Sequence, residues 1–183
     1  MTDADGGVPR RLTRERSWDG TGTWSRDGRW IYFKSDRSGD LQIWKVPAEG
    51  GEATQVTRGG GYLALESWDG RHLYYAKSVF GGGIWRVPVD GVPEVEVTPG
   101  PMYWNNFAVA RTGLYFAVND ERGRAPAVRV EYLDVESGRS SEIHRFERPM
   151  EVRGLHVSTD EEWILLGAAP PDSSELMLVE NFR

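Results

Sequence analysis

The sequence predicts an all-β chain: a β-propeller of about four blades, each a four-stranded antiparallel sheet, forming a small or incomplete ring. Three recurrences predict it. Ile43-Trp44-Lys45-Val46-Pro47 returns as Ile84-Trp85-Arg86-Val87-Pro88, 41 positions on. The turn Asp27-Gly28-Arg29 returns as Asp69-Gly70-Arg71, 42 positions on. The strand Thr54-Gln55-Val56-Thr57 returns as Val95-Glu96-Val97-Thr98. Self-similarity with a period of roughly 40–45 residues is the signature of propeller blades. A short four-stranded sheet cannot bury its faces alone and does so by stacking radially on its neighbours.

Taken in order, the segment 8–13 follows Gly6-Gly7 as the strand 54–57 follows Gly50-Gly51, so it reads as the outer strand of a split blade. The first blade spans 17–58, with Trp30-Ile31-Tyr32-Phe33 as a middle strand after the Asp-Gly turn. The second spans 62–99 and carries Leu73-Tyr74-Tyr75 in the same place. Apolar residues at consecutive positions suit a strand covered on both faces. The third, 103–146, replaces the turn with Thr112-Gly113 and the middle strand with Leu114-Tyr115-Phe116-Ala117. The fourth, 152–183, holds Trp163-Ile164-Leu165-Leu166 and ends in Leu176-Met177-Leu178-Val179-Glu180 without a further strand. The expectation is that Val8–Thr13 completes this last blade and lies beside Leu176–Glu180. The alternatives are two chains joining through open blade edges, or a chain that is part of a longer protein. A parallel β-helix has shorter coils and no Asp-Gly hairpin turns between consecutive strands.

Composition agrees and excludes several functions. Glycine is abundant, 22 of 183 residues, which favours many turns, and eight tryptophans favour a packed interior. The formal charge of −6 offers no general attraction to a phosphate backbone. Arg10, Arg11, Arg14 and Arg16 read as a solvated end, without a basic surface behind them. With no cysteine, disulfides and thiol chemistry are excluded. No apolar run approaches the ~20 residues that span a bilayer. The polar, acidic first residues are not a secretory signal. They place the chain in the cytoplasm if it is complete, and leave the periplasm or exterior open if it belongs to a longer exported protein.

The Trp24–Trp44 stretch resembles the repeat of TolB-like propellers, also called WD40-like or PD40 repeats. Their Ser-Pro-Asp-Gly, apolar strand, Ser-Asp-Arg, Gly and Ile-Tyr stand here as Ser25-Arg26-Asp27-Gly28, Ile31-Tyr32-Phe33, Ser35-Asp36-Arg37, Gly39 and Ile43-Trp44. The second repeat matches at Ser67-Trp68-Asp69-Gly70, Leu73-Tyr74-Tyr75 and Ile84-Trp85, the proline being replaced both times. The resemblance is to the propeller module and implies a sensory or protein-binding domain of a larger bacterial protein.

Chemistry is hard to place on this sequence. It contains no Gly-x-Ser-x-Gly elbow and no phosphate loop, and Gly59–Gly61 and Gly81–Gly83 lack the lysine and helix such a loop needs. His72, His144 and His156 fall on different strands of different blades, so no metal site is expected. The paired carboxylates Asp120-Glu121 and Asp160-Glu161-Glu162 fall in turns. No cofactor is expected. What remains is binding of a protein or peptide partner on one propeller face, with Tyr62, Tyr103, Trp104, Asn105 and Arg37 as candidate contacts. Asn106, Asp36, Arg122 and Arg124 lie near them. Aromatics and arginine are the residue types that anchor interfaces. The competing structural reading packs Tyr62, Tyr103 and Trp104 between blades. A non-enzymatic binding propeller is therefore expected. The alternatives are the gating propeller of a prolyl-oligopeptidase-like serine peptidase whose catalytic domain is absent, or an enzyme with its site in the channel.

Overall fold

The computed structural model describes residues 1, 4–79, 81–100, 106–120, 127–146, 151–169 and 175–180. As the repeats predict, these form four antiparallel sheets arranged as the blades of a propeller. The first contains β1 (Asp19–Trp24), β2 (Trp30–Ser35), β3 (Gln42–Pro47) and β4 (Thr54–Gln55), in that order. The second contains β5 (Leu63–Glu66), β6 (His72–Ala76), β7 (Ile84–Pro88) and β8 (Val95–Thr98). The third contains β9 (Phe107–Val109), β10 (Gly113–Asp120), β11 (Ala127–Asp134) and β12 (Ser140–Phe146). The fourth has three strands, β13 (Glu151–Val157), β14 (Trp163–Ala169) and β15 (Glu175–Glu180).

The Ser-x-Asp-Gly turns between first and second strands are closed by their own side chains. Ser25 Oγ donates to Asp27 Oδ1 at 2.7 Å and accepts the Trp30 N–H at 2.8 Å, while Asp27 Oδ1 accepts the Arg29 N–H at 3.0 Å. Ser67, Asp69, His72 and Arg71 repeat the set at 2.6, 2.9 and 3.0 Å. Gly28 and Gly70 sit at φ +71° and +69°, which a side chain would strain. In the fourth blade Ser158 and Asp160 keep the pattern, but Glu161 occupies the glycine position at φ +60°.

In the second and third blades the middle strand is apolar on both faces because each face meets a different blade. Tyr75 joins Tyr32, Ile43, Val56 and Leu73 between the first and second blades. Its neighbour Tyr74 joins Ile84, Phe107, Leu114 and Phe116 between the second and third. Tyr115, Val130, Leu155, Ile164 and Leu166 fill the space between the third and fourth. Among the described residues no comparable core joins the fourth blade to the first.

The amino-terminal segment departs from expectation. Residues 8–13 form no strand, and among the described residues β15 has no partner on its outer edge. Arg10 instead donates to the carbonyls of Ala48 and Glu49 at 2.5 and 2.6 Å, and Asp19 takes hydrogen bonds from Thr13 and Ser17. The segment is fastened to the first blade, not the last. The physical reason is the unmet acceptors of the β3–β4 turn: Arg10 satisfies two carbonyls there with one planar fork.

Candidate functional site

The inner strands β1, β5, β9 and β13 surround a cavity of about 710 Å³. Its walls include Trp24, Leu63, Phe107 and Leu155, and its charged or titratable members are Arg26, Glu66, Arg153 and His156. Side chains lock these strands in place. The hydroxyls of Thr21 and Thr23 donate to the carbonyls of Tyr62 and Ala64, each at 2.8 Å, joining the first two blades. Asn106 donates to the Val152 carbonyl at 2.6 Å and accepts the Gly154 N–H at 2.7 Å, joining the last two.

Glu66 is the one carboxylate among the described residues of the wall, and it is already engaged. It is only 9% exposed, accepts the Tyr32 hydroxyl at 2.9 Å and also accepts the Arg26 backbone N–H. Burial, reinforced by that carboxylate, keeps the Tyr32 phenol protonated well above its ordinary range. At the turn tips, the N–H of Arg29, the Ser25 hydroxyl and the Arg29 guanidinium hold Asp27 down at about 2. Asp27 is structural, as its turn position implies, and Glu66, at the end of β5, is spent on internal donors.

At the same tips, the guanidinium carbon of Arg26 lies 4.3 Å from the centre of the Trp68 ring, and that of Arg111 lies 4.6 Å from it. Arg26 comes from the blade before Trp68 and Arg111 from the blade after. Arg26 and Trp68 are the second residues of their Ser-x-Asp-Gly turns, and Arg111 is the second residue of the Ala110-Arg111-Thr112-Gly113 turn that replaces the motif in the third blade.

Of the residues singled out from sequence, Tyr62 starts the second blade, half-buried beneath the Lys34 ammonium, 3.3 Å from its ring centre. Arg37 lies elsewhere, on the first blade's flank. It stacks on Phe33 and Trp44 at 5.0 Å each and pairs with Asp19 at 3.2 Å. Tyr103, Trp104, Asn105, Arg122 and Arg124 lie outside the described residues. Asn106, expected on the face, is buried at 3% because both ends of its amide are spent on the fourth blade. Asp36 accepts the Trp18 N–H at 2.8 Å.

The histidines stand apart. His72 opens β6, where burial and then the Arg86 charge lower its pKa, and His144 packs edge-on against Phe146 in β12. His156 faces the channel. Among the described residues no three His, Asp or Glu side chains gather around a common point, and no helix is long and apolar enough to cross a membrane.

Residues 1–90 match the family model of the TolB β-propeller domain, PD40. Residues 1–90 are thus of the TolB propeller type. A stretch of 55 residues is 44% identical to an uncharacterized protein of Agrobacterium fabrum, covering 30% of this chain and 19% of that one. The TolB-type fold is similar to TolB of Acinetobacter baumannii, with a TM-score of 0.75 at 18% identity over 98% of this chain and 45% of that one. It is also similar to an oligogalacturonate lyase of Vibrio parahaemolyticus, with a TM-score of 0.71 at 18% identity over 94% of this chain and 53% of that one. The chain thus spans about half the length of these solved structures. At such identities the likeness is one of fold.

Of the Arg26–Trp68–Arg111 stack, the sequence showed only Arg26 and Trp68, as the residues replacing the repeat's proline. Glu66, by contrast, had no sequence signal, since a lone Glu at the end of a strand reads as solvated.

Proposed function

We propose that this TolB-type propeller is a non-enzymatic module that binds a protein or peptide partner at its central channel. The observation that carries the reading is the channel itself. It is walled by all four inner strands, and the only carboxylate among its described lining residues, Glu66, is committed to the Tyr32 hydroxyl and the Arg26 N–H. An acid–base pair needs two titratable groups within reach of a substrate, and with Glu66 spent on two internal donors the described lining leaves His156 without a carboxylate partner. A rigid concave wall of apolar and aromatic groups with a few polar ones is instead suited to holding a chain segment. Tyr103, Trp104 and Asn105 enter the proposal as further candidate contacts. Tyr62 and Arg37, whose side chains are already engaged, enter it as positioning residues.

The test is capture of a partner on the immobilised protein, compared with His156→Trp, an exposed channel residue whose enlargement fills the lumen. Retention by the parent and loss by the variant, at unchanged melting temperature, supports the reading. Equal retention by both, or turnover of a substrate by the purified chain, overturns it.

A further inference from the structure

The fourth blade has three strands among the described residues, and its open side is apolar. On β15, Leu176 is 77% exposed and Leu178 58% exposed. By strand register Leu176 holds the place of Ile43, Ile84 and Val130, which are at most 1% exposed. Each of those packs on the blade that follows its own. Leu165, directly opposite Leu178, likewise holds the place of Tyr32, Tyr74 and Tyr115, which are buried at the same three boundaries. The fourth blade therefore presents the trailing face that its predecessors bury on the leading face of a neighbour.

The first blade carries the other half of such a contact. Residues 10–15 enclose a cavity of about 750 Å³ with Arg37, Trp44 and the turn 49–53. Residues 56–59, at the end of the first blade, lie in the same way against the second blade's turn. The Val56 carbonyl stands against Gly91, and Glu94 accepts the N–H groups of Arg58 and Gly59 at 2.5 and 3.1 Å. The cation at that turn corresponds as well. Lys45 donates to the Val89 carbonyl of the second blade at 2.8 Å, and Arg10 donates to the Ala48 carbonyl, which holds the place of Val89. Residues 8–13 thus stand to the first blade as the outer strand of a preceding blade would. The other three strands of that blade are missing there, and β13–β15 are three strands without a fourth.

We infer that the chain pairs head to tail with a second copy of itself. The trailing face of each fourth blade docks on the leading face of the other copy's first blade, and β15 runs beside the other copy's residues 8–13. The outer edge of β15 gains a strand, and Leu176 and Leu178 leave water. Leu178 holds the place of Lys45, and an apolar residue suits it because Arg10 already serves the carbonyls that a lysine there would meet. One such contact made twice about a two-fold axis closes a ring. Spanning about half the length of solved structures with its fold, the chain supplies in two copies about one such length. Trailing face against trailing face is disfavoured, since all three boundaries within the chain join a trailing face to a leading one.

The test is sedimentation equilibrium over a wide range of concentration, with amide exchange measured at both ends of it. The chain should pass reversibly from monomer to dimer with no larger species. The amides of β15 should exchange as a free edge in the dilute monomer and slow in the dimer. Leu176→Glu/Leu178→Glu should raise the dissociation constant about a hundredfold or more, with the melting temperature of the dilute monomer unchanged. Orientation is read by cross-linking, since the sequence has no cysteine of its own. Glu49 holds the place of Asp90, which Lys45 reaches at 3.1 Å across the blade boundary. Chains carrying Leu178→Cys mixed with chains carrying Glu49→Cys should therefore oxidise to a linked dimer several-fold faster than either alone. A monomer at every concentration, an unaffected double variant, growth beyond the dimer, or equally fast linkage of Leu178→Cys to itself overturns the proposal.

Discussion

Glu161 stands where the first two blades carry glycine, at φ +60°, and its carboxylate accepts the Arg111 N–H of the preceding blade at 2.7 Å. The left-handed conformation costs a side-chain residue about 1 kcal/mol. The buried, charge-assisted hydrogen bond returns more, about 1.5–3 kcal/mol. Glu161→Gly should therefore destabilise the chain by about 1 kcal/mol, the balance of the two. Judged by the turn alone it would stabilise. Urea unfolding decides between the signs, and a gain in stability would refute the latch.

Tyr32 and Glu66 set the alkaline limit. Burial, followed by the carboxylate 2.9 Å away, raises the Tyr32 phenol above its ordinary value of 10.0. The folded state thus holds this proton more tightly than the unfolded chain does. The contribution is complete below pH 10.0 and is lost as the pH climbs from there towards the folded value. Tyr32→Phe should flatten the fall of the melting temperature above that pH. An unchanged alkaline profile would show that Tyr32 is not part of it.

Asp27 and Asp69 act at the other end of the scale. Asp27 is held down by the Arg29 N–H, then by the Ser25 hydroxyl, and Asp69 first by the Ser67 hydroxyl. Their folded values lie below the ordinary 3.8, so what they contribute is present above that pH and lost as pH falls, towards about 2 for Asp27. Asp27→Asn/Asp69→Asn should lower the urea midpoint at neutral pH and leave a shallower decline in acid. Equal acid sensitivity in parent and variant would count against the turn hydrogen bonds.

The elements legible in the sequence are those whose bonds are local. Ser25, Asp27 and Gly28 close their turn among themselves, so the motif announces the turn wherever it stands, and the repeated turns announce the blades. Asn106 and Glu161 were not legible because their partners lie in another blade: polar residues near turns read as solvated unless the facing strand is known. The segment 8–13 misled for the same reason. Its likeness to 54–57 described a strand, but the choice between two blade edges was made by Arg10 and the carbonyls it reaches. Within the site, the aromatic and arginine content was readable, whereas the stacking of Arg26 and Arg111 on Trp68 needed the blade order.

Asn106 offers a sharp test of how the last blade is held. Its amide bonds the Val152 carbonyl and the Gly154 N–H in a site only 3% exposed. Asn106→Ala would strand both backbone groups, at about 1–3 kcal/mol each. Hydrogen exchange should accelerate in β13 and β14 while β1–β4 keep their protection. Uniform acceleration across all four blades would mean that the contact is no local latch.

Removal of residues 1–12 separates the two placements of the amino-terminal segment. Arg10 binds the Ala48 and Glu49 carbonyls, and residues 10–15 together with Arg37, Trp44 and Ala53 enclose a cavity against the first blade. Truncation should therefore expose β2 and β3 to faster amide exchange and lower the melting temperature through that blade. The amides of β15, which among the described residues pair only with β14, should be unaffected. If instead β15 lost protection and the first blade did not, the segment would be completing the fourth sheet and the ring would be closed by it.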